Sequence, residues 1–295
     1  MLNTEVISAA HADLDTLSPQ DLARRFISDQ QGAVQAALAA SDQIGAASAA
    51  AAPRLRAGGR LLYFGAGTSG RLALLDAVEL GPTFSWPAAR AVASLAGGLG
   101  AVRLAVEGAE DDGPQAERDL LALRPTPQDV VISVAASGRT PYAMAVLRAA
   151  RALGALTIAI VNNPQAPMIE LAECPIVLDT GPEVIAGSTR LKAGTAQKIA
   201  LNALSSSLMV QLEKVYGNLM VDLRATNAKL VTRATGLVAR ITGADEAAAA
   251  QMLQASGLEV KTAVVALQLG LTPAAARDRL ATLGGSLRRA LQEAS

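Results

Sequence analysis

Two short loops carry the residues whose types and spacing suggest chemistry. Gly65-Ala66-Gly67-Thr68-Ser69-Gly70-Arg71 and Ser137-Gly138-Arg139-Thr140 both combine small residues with hydroxyls. Each follows an apolar run, Arg60–Phe64 (RLLYF) and Asp129–Val134 (DVVISV), and each precedes a helical pattern. The first loop satisfies G-x-G-x-x-G, which dinucleotide sites use. It lacks the acidic residue that ends a second strand about 20 residues on and holds the ribose. Hydroxyls with backbone N–H groups at a helix N-terminus suit a phosphate monoester. A phosphate or phosphosugar, a dinucleotide and a plain turn all remain open for this loop. Two helix caps are the bland account of the pair, since Ser and Thr cap helices anyway. Two such loops at the carboxyl ends of strands in one sheet point instead to one crevice.

A third cluster runs from Glu183 to Lys198 (EVIAGSTRLKAGTAQK). It places Arg190, Lys192 and Lys198 near the start of a long helical pattern. Cations are unfavourable there unless an anion lies close by, so the broken rule favours a site over a solvated cationic face. Glu79 follows the first helix in Asp76–Thr83 (DAVELGPT), and Glu107 and Glu110 lie in Val106–Asp112 (VEGAEDD). A lone Glu is usually on the surface, and composition does not select these three.

Composition removes several classes of function. The 295 residues hold 26 Lys+Arg against 26 Asp+Glu, a net charge of zero that offers nucleic acid or an anionic membrane no electrostatic footprint. Aromatics make up 2%, which leaves no stacking platform for single strands. The single cysteine, Cys174, cannot form an internal disulfide, and with one His it cannot complete a four-ligand zinc site. His11 falls in an N-terminal stretch that reads as mobile, which disfavours Ser-His-Asp or Cys-His chemistry. Acid–base work therefore falls to carboxylates, Lys or Tyr. No run approaches a membrane span of 18 apolar residues, and MLNTEVISAAHADLD has no basic n-region, so a cytoplasmic location is expected.

The elements that must position these loops follow from periodicity. Ser18-Pro19 reads as an N-cap with Pro at the first helical position, opening a helical arm that runs to Ala52 and is punctuated by Pro53. Strands are expected at Arg60–Phe64, Val92–Leu95, Asp129–Val134, Ala155–Val161 and Ile176–Leu178, alternating with helices, one of them Tyr142–Leu153. Such alternation implies right-handed βαβ units, a parallel sheet and a three-layer α/β/α sandwich. From Leu191 the chain reads as helical: Leu191–Tyr216, Thr226–Ile241, Glu246–Ser256, Glu259–Leu269, Pro273–Leu283 and Leu287–Glu293. Val260-Lys261 and Arg288-Arg289 read as surface charges in preference to an approach to the site. The domain reading is an arm at 1–59, an α/β core at 60–220 and a helical region at 221–295. The long helix from Leu191 is expected to cross the sheet and contribute to a dimer, because an Ala- and Leu-rich helix needs partners on more than one face.

Taken in order, GAGTSGR (Gly65–Arg71), LDAVELGPTF (Leu75–Phe84), AVEGAEDD (Ala105–Asp112), AASGRTPY (Ala135–Tyr142), GPEVIAGSTRLKAGTAQK (Gly181–Lys198) and NLMVDLRATNAKL (Asn218–Leu230) resemble the N-acetylmuramic acid 6-phosphate etherases, a family of the sugar isomerase (SIS) fold group. The chain departs from that pattern at Val78-Glu79-Leu80-Gly81-Pro82-Thr83, where the family usually shows Ser-Glu-Cys-Pro-Pro-Thr. The resemblance implies cleavage of a lactyl ether, with Glu79 and Glu110 as the catalytic carboxylates. It implies a 6-phosphate held by Thr68, Ser69, Ser137 and Thr140 with the N–H groups of the Gly138-Arg139 loop. Ser188 and Lys192 would complete a site, on this chain or on a neighbouring subunit. The chemistry it implies needs no metal and no cofactor; the partners expected are the phosphosugar and a second copy of the chain, with no nucleic acid and no membrane. The alternatives are an aldose–ketose phosphosugar isomerase and a non-catalytic phosphosugar-binding regulator.

Overall fold

The computed structural model describes residues 2–223, 225 and 227–292. Arg224 and Thr226 of the stretch Asn218–Leu230, and Glu293 at the end of the expected last helix, lie outside them. The chain forms two compact units: Met1–Val78 with Ala88–Leu208, and Glu79–Pro87 with Met209–Ser295.

The first unit is built on five parallel strands: β1 Leu61–Gly65, β2 Ala91–Leu95, β3 Val130–Ala135, β4 Leu156–Val161 and β5 Cys174–Val177. Their order is β2-β1-β3-β4-β5. A strand covered on both faces must be apolar nearly throughout, and every residue of β1, β3 and β4 is buried. The edge strands β2 and β5 are partly exposed. The helices of this unit are α1 Pro19–Asp29, α2 Gln31–Ala39, α3 Ser41–Arg56, α5 Gly113–Ala122, α6 Pro141–Ala152 and α7 Met168–Leu171, with α4 Gly67–Phe84 as far as Val78 and α8 Lys192–Gln211 as far as Leu208. On one face, Leu62, Phe64 and Val131 pack with Ala116 and Leu120 of α5 and Tyr142 and Val146 of α6. By the two-residue period of a strand, Tyr63 points to the other face. There its hydroxyl donates to Asp76 Oδ2 at 3.0 Å, and Asn202 Nδ2 (2.7 Å) and Ser205 Oγ (3.0 Å) donate to Oδ1. One buried carboxylate thus joins β1, α4 and α8. Burial raises the Asp76 pKa, against the pull of these three hydrogen bonds, and raises that of Tyr63.

Three local expectations are corrected. The arm breaks at Gln30 and Ala40 into α1, α2 and α3, and α3 runs through Pro53 to Arg56. Pro53 lacks an N–H, which costs one hydrogen bond near a helix end that Arg54 and Arg56 suit electrostatically. The N-terminus is docked rather than mobile: Thr4 is fully buried. Its N–H donates to Asn163 Oδ1 at 3.3 Å, and Asn163 Nδ2 donates to Thr4 Oγ1 at 3.2 Å.

In the second unit the hairpin β6 Val215–Tyr216 and β7 Leu219–Met220 precedes five helices: α9 Ala228–Thr242, α10 Glu246–Ala255, α11 Val260–Leu269, α12 Pro273–Thr282 and α13 Leu287–Gln292. Asn227, Asp245 and Thr272 cap α9, α10 and α12. Their core includes Val238, Leu253, Val264 and Leu287. Here the third correction falls. Lys261 is 9% exposed, not a surface residue. Its ammonium pairs with Asp222 at 3.1 Å and donates to Gly285 O at 2.9 Å, and Lys214 pairs with the other Asp222 oxygen at 2.5 Å. Burial lowers the Lys261 pKa and Asp222 opposes the shift. Among the described residues no helix is long and apolar enough to cross a membrane.

Candidate active site

The strand order fixes where a ligand can sit. From β1 the chain moves outward to β2, then returns to β3 on the other side of β1. Between β1 and β3 the connections therefore diverge, and a crevice opens beyond their carboxyl ends. Gly65 is level with Val134, so both hydroxyl-bearing loops leave the sheet at one rim.

The first loop is shorter than its sequence suggests. Helix α4 begins at Gly67, inside the stretch Gly65–Arg71 and not after it, which puts Thr68 and Ser69 in its first turn. The unpaired N–H groups of that turn and the positive end of the helix dipole face the same space as the two hydroxyls. Gly70 allows this close approach of helix to strand: a Cβ there would stand 2.6 Å from Gly65 O and 2.0 Å from Leu95 Cδ1. In the second loop Gly138 adopts φ +62°, and a Cβ would stand 2.3 Å from that of Ala166. Ser137 Oγ accepts from Arg139 N at 3.2 Å. Thr140 precedes α6, but its hydroxyl makes no cap bond, so capping does not account for it.

Thr68, Ser69, Ser137, Arg139 and Thr140 line one cavity of about 440 Å³. Glu110 lines it too. It sits in the 3-10 turn Ala109–Asp111, entered through Gly108 at φ +73°. A second cavity, of about 340 Å³, shares Ala66, Gly67 and Glu110 with the first and is otherwise lined by Arg71, Glu107 and small apolar side chains such as Ala96, Ala101 and Val106. Arg71 fixes this region by donating to Ala101 O (2.7 Å) and Val102 O (3.1 Å). Asp112 closes the turn by capping α5 through Gln115 N at 2.8 Å.

The remaining candidates lie elsewhere. Glu79 is within α4 rather than after it, exposed, and eleven residues beyond Thr68, about 16 Å of helical rise. In the third cluster Thr189 lines the 440 Å³ cavity. Ser188 is half-buried in the turn just before it. Lys192 is buried, and its ammonium is held by Asp29 Oδ1 at 2.8 Å and Pro182 O at 2.7 Å. The anion that the cations at this helix start demanded is the protein's own. Glu183 accepts from Lys192 N (2.9 Å) and Ala193 N (2.8 Å) and so caps α8. Burial raises the Glu183 pKa, and these bonds work against the shift. Sequence reasoning singled out none of three polar lining residues, Glu5, Asp111 and Thr189. Asp111 lay inside a quoted acidic run; Glu5 had no motif around it.

The curated relatives decide the family. An N-acetylmuramic acid 6-phosphate etherase of Deinococcus radiodurans is 58% identical over 290 residues, 98% of this chain and 95% of that one. Those of Salmonella agona (48%, 95% of this chain and 94% of that one) and Rubrobacter xylanophilus (47%, 99% and 96%) match over similar spans. The chain belongs to the N-acetylmuramic acid 6-phosphate etherase family. Domain models agree with a SIS fold in this family: a SIS domain matches residues 113–207, the N-terminal SIS domain of glucokinase regulatory protein matches 44–151, and the C-terminal lid domain of that protein matches 217–269. A solved phosphoheptose isomerase from Francisella tularensis is similar at a TM-score of 0.47, with 17% identity over 65% of this chain and 98% of that one. In this etherase-family chain the SIS match closes within α8 and the lid match opens at the β6–β7 hairpin.

Proposed function

We propose that this protein cleaves the D-lactyl ether of N-acetylmuramic acid 6-phosphate, giving N-acetylglucosamine 6-phosphate and D-lactate. The observation that carries the reading is Glu110 on the wall between a hydroxyl-lined cavity and a neighbouring one lined by Arg71, Glu107 and small apolar side chains. The first cavity suits a phosphosugar and the second a small substituent. Thr68, Ser69, Ser137 and Thr140 hold the 6-phosphate beside Arg139 on the cavity wall, while the N–H groups of Gly138 and Arg139 donate to Ala135 O and Ser137 Oγ and shape the loop. Ser188 supports the adjacent wall. Lys192 acts by positioning, through Asp29 and the start of α8.

In the open-chain sugar, C1 is an aldehyde and the C2 hydrogen is acidic. The Glu110 carboxylate takes that proton. The C3–O bond then breaks, its electron pair goes to the lactyl oxygen, and Glu79 as an acid protonates that oxygen. Water adds oxygen to C3 of the resulting enal and a proton returns to C2. Glu79 is exposed and three turns from Thr68 along α4, so we assign the acid to a second copy of the chain in a homodimer. The reaction belongs to cytoplasmic recycling of cell-wall amino sugars.

Incubating the purified protein with N-acetylmuramic acid 6-phosphate and assaying D-lactate tests the reading. A ketose phosphate product would mark an isomerase instead. The matches to domains of glucokinase regulatory protein favour a second reading, a phosphosugar-binding regulator. It predicts binding with no lactate released.

A further inference from the structure

We propose that the docked N-terminal turn Asn3–Glu5 is a fixed wall of the phosphosugar cavity, and that Glu5 binds the sugar through its hydroxyl or amide donors. Glu5 lines the same 440 Å³ cavity as Thr68, Ser69, Ser137, Thr140 and Glu110. Its place is determined by its neighbours. Thr4, fully buried, exchanges two hydrogen bonds with Asn163. Asn163 Nδ2 also donates to Ala136 O at 2.8 Å, one residue before Ser137. Asn3 Nδ2 donates to Asp179 Oδ1 at 3.0 Å. The turn is therefore tied, through one side chain, to the loop assigned to the phosphate. On the other side, the Glu5 carboxylate lies over Gly187: a Cβ at Gly187 would stand 3.1 Å from Glu5 Oε2.

The chemistry of the residue selects its role. An ionised carboxylate only accepts hydrogen bonds, so beside a phosphate it repels. The groups it can favour are the hydroxyls and the amide N–H of an amino sugar, which bare phosphate does not have. Glu5 thus separates a phosphosugar from inorganic phosphate, and this inference rests on the phosphosugar reading of the cavity.

Calorimetric titration of the full chain and of Glu5→Gln, with inorganic phosphate and with N-acetylglucosamine 6-phosphate, tests it. In Glu5→Gln the sugar phosphate should bind about 10-fold more weakly, as expected for loss of a hydrogen bond to a charged group, while phosphate binds at least as tightly as before. The readout is the ratio of the two affinities. A ratio unchanged from wild type overturns the inference and leaves the turn a plain wall. Failure of the wild-type chain to bind the sugar phosphate overturns the underlying phosphosugar reading instead.

Discussion

Glu110 stands where two cavities meet, and a carboxylate so placed can act on the bond joining the occupants of both. Glu110→Gln keeps its shape and removes the base. D-lactate release should fall about 10²–10⁴-fold, while N-acetylglucosamine 6-phosphate still binds within about 3-fold of wild type by calorimetry. Glu79→Gln should behave alike; near-normal turnover in either variant sinks that residue's role. Gly138 belongs to the same scale. Its φ of +62° costs a side-chain-bearing residue about 1–2 kcal/mol, and a methyl would also collide with Ala166. Gly138→Ala should raise KM for the phosphosugar at least about 10-fold with a smaller change in kcat, because it displaces the binding loop and not the carboxylates. An unchanged KM would show that the loop does not hold the phosphate.

At the scale of elements, the site depends on β1 and β3 being level at their carboxyl ends, and the opposite ends are pinned by one ion pair. Asp129, just before β3, accepts from Arg60 N (2.8 Å), Arg60 Nη2 (2.7 Å) and Thr126 N (2.8 Å). Burial alone would raise its pKa, but these bonds and the guanidinium charge hold it below the usual carboxylate range. The folded form therefore stabilises the ionised carboxyl. That contribution is complete above the unfolded pKa of about 4 and is lost as pH falls through the depressed folded value. Asp129→Asn should cost about 3 kcal/mol in urea unfolding at pH 7, with the deficit shrinking below about pH 4. A deficit independent of pH would refute the ionic account. The same scale explains why α4 starts at Gly67: with Gly65 and Gly70 in close approach, the helix can begin almost at the end of the strand.

At the scale of the whole molecule, the acid and the base are assigned to different copies of the chain. If so, Glu79→Gln and Glu110→Gln, each inactive alone, should complement when co-folded. Mixed dimers hold one site with both changes and one with neither, so an equal mixture should recover about a quarter of wild-type lactate release. No recovery, in a mixture shown to exchange subunits, would place both groups in one chain. In the second unit, Lys261 of the stretch Gly257–Val265 (GLEVKTAVV) donates to Gly285 O of the stretch Leu283–Leu291 (LGGSLRRAL).

The sequence alone determined the five strands of the sheet, the two hydroxyl loops and the family, because apolar period, glycine spacing and caps act over a few residues; it did not show α5, nor the β6–β7 hairpin, since Leu191–Tyr216 reads as one helix and α8 ends at Gln211. Ser18 caps α1 and Pro19 opens it as read. Tertiary structure decided how polar groups pair, since partners more than 100 residues apart leave no local pattern. Thr4 meets Asn163 and Lys192 meets Asp29 only once the chain has folded. For the same reason Lys261 is buried, the Lys192 ammonium is taken by Asp29 rather than lining the cavity, and Glu5, in a stretch that reads as mobile, stands in the cavity.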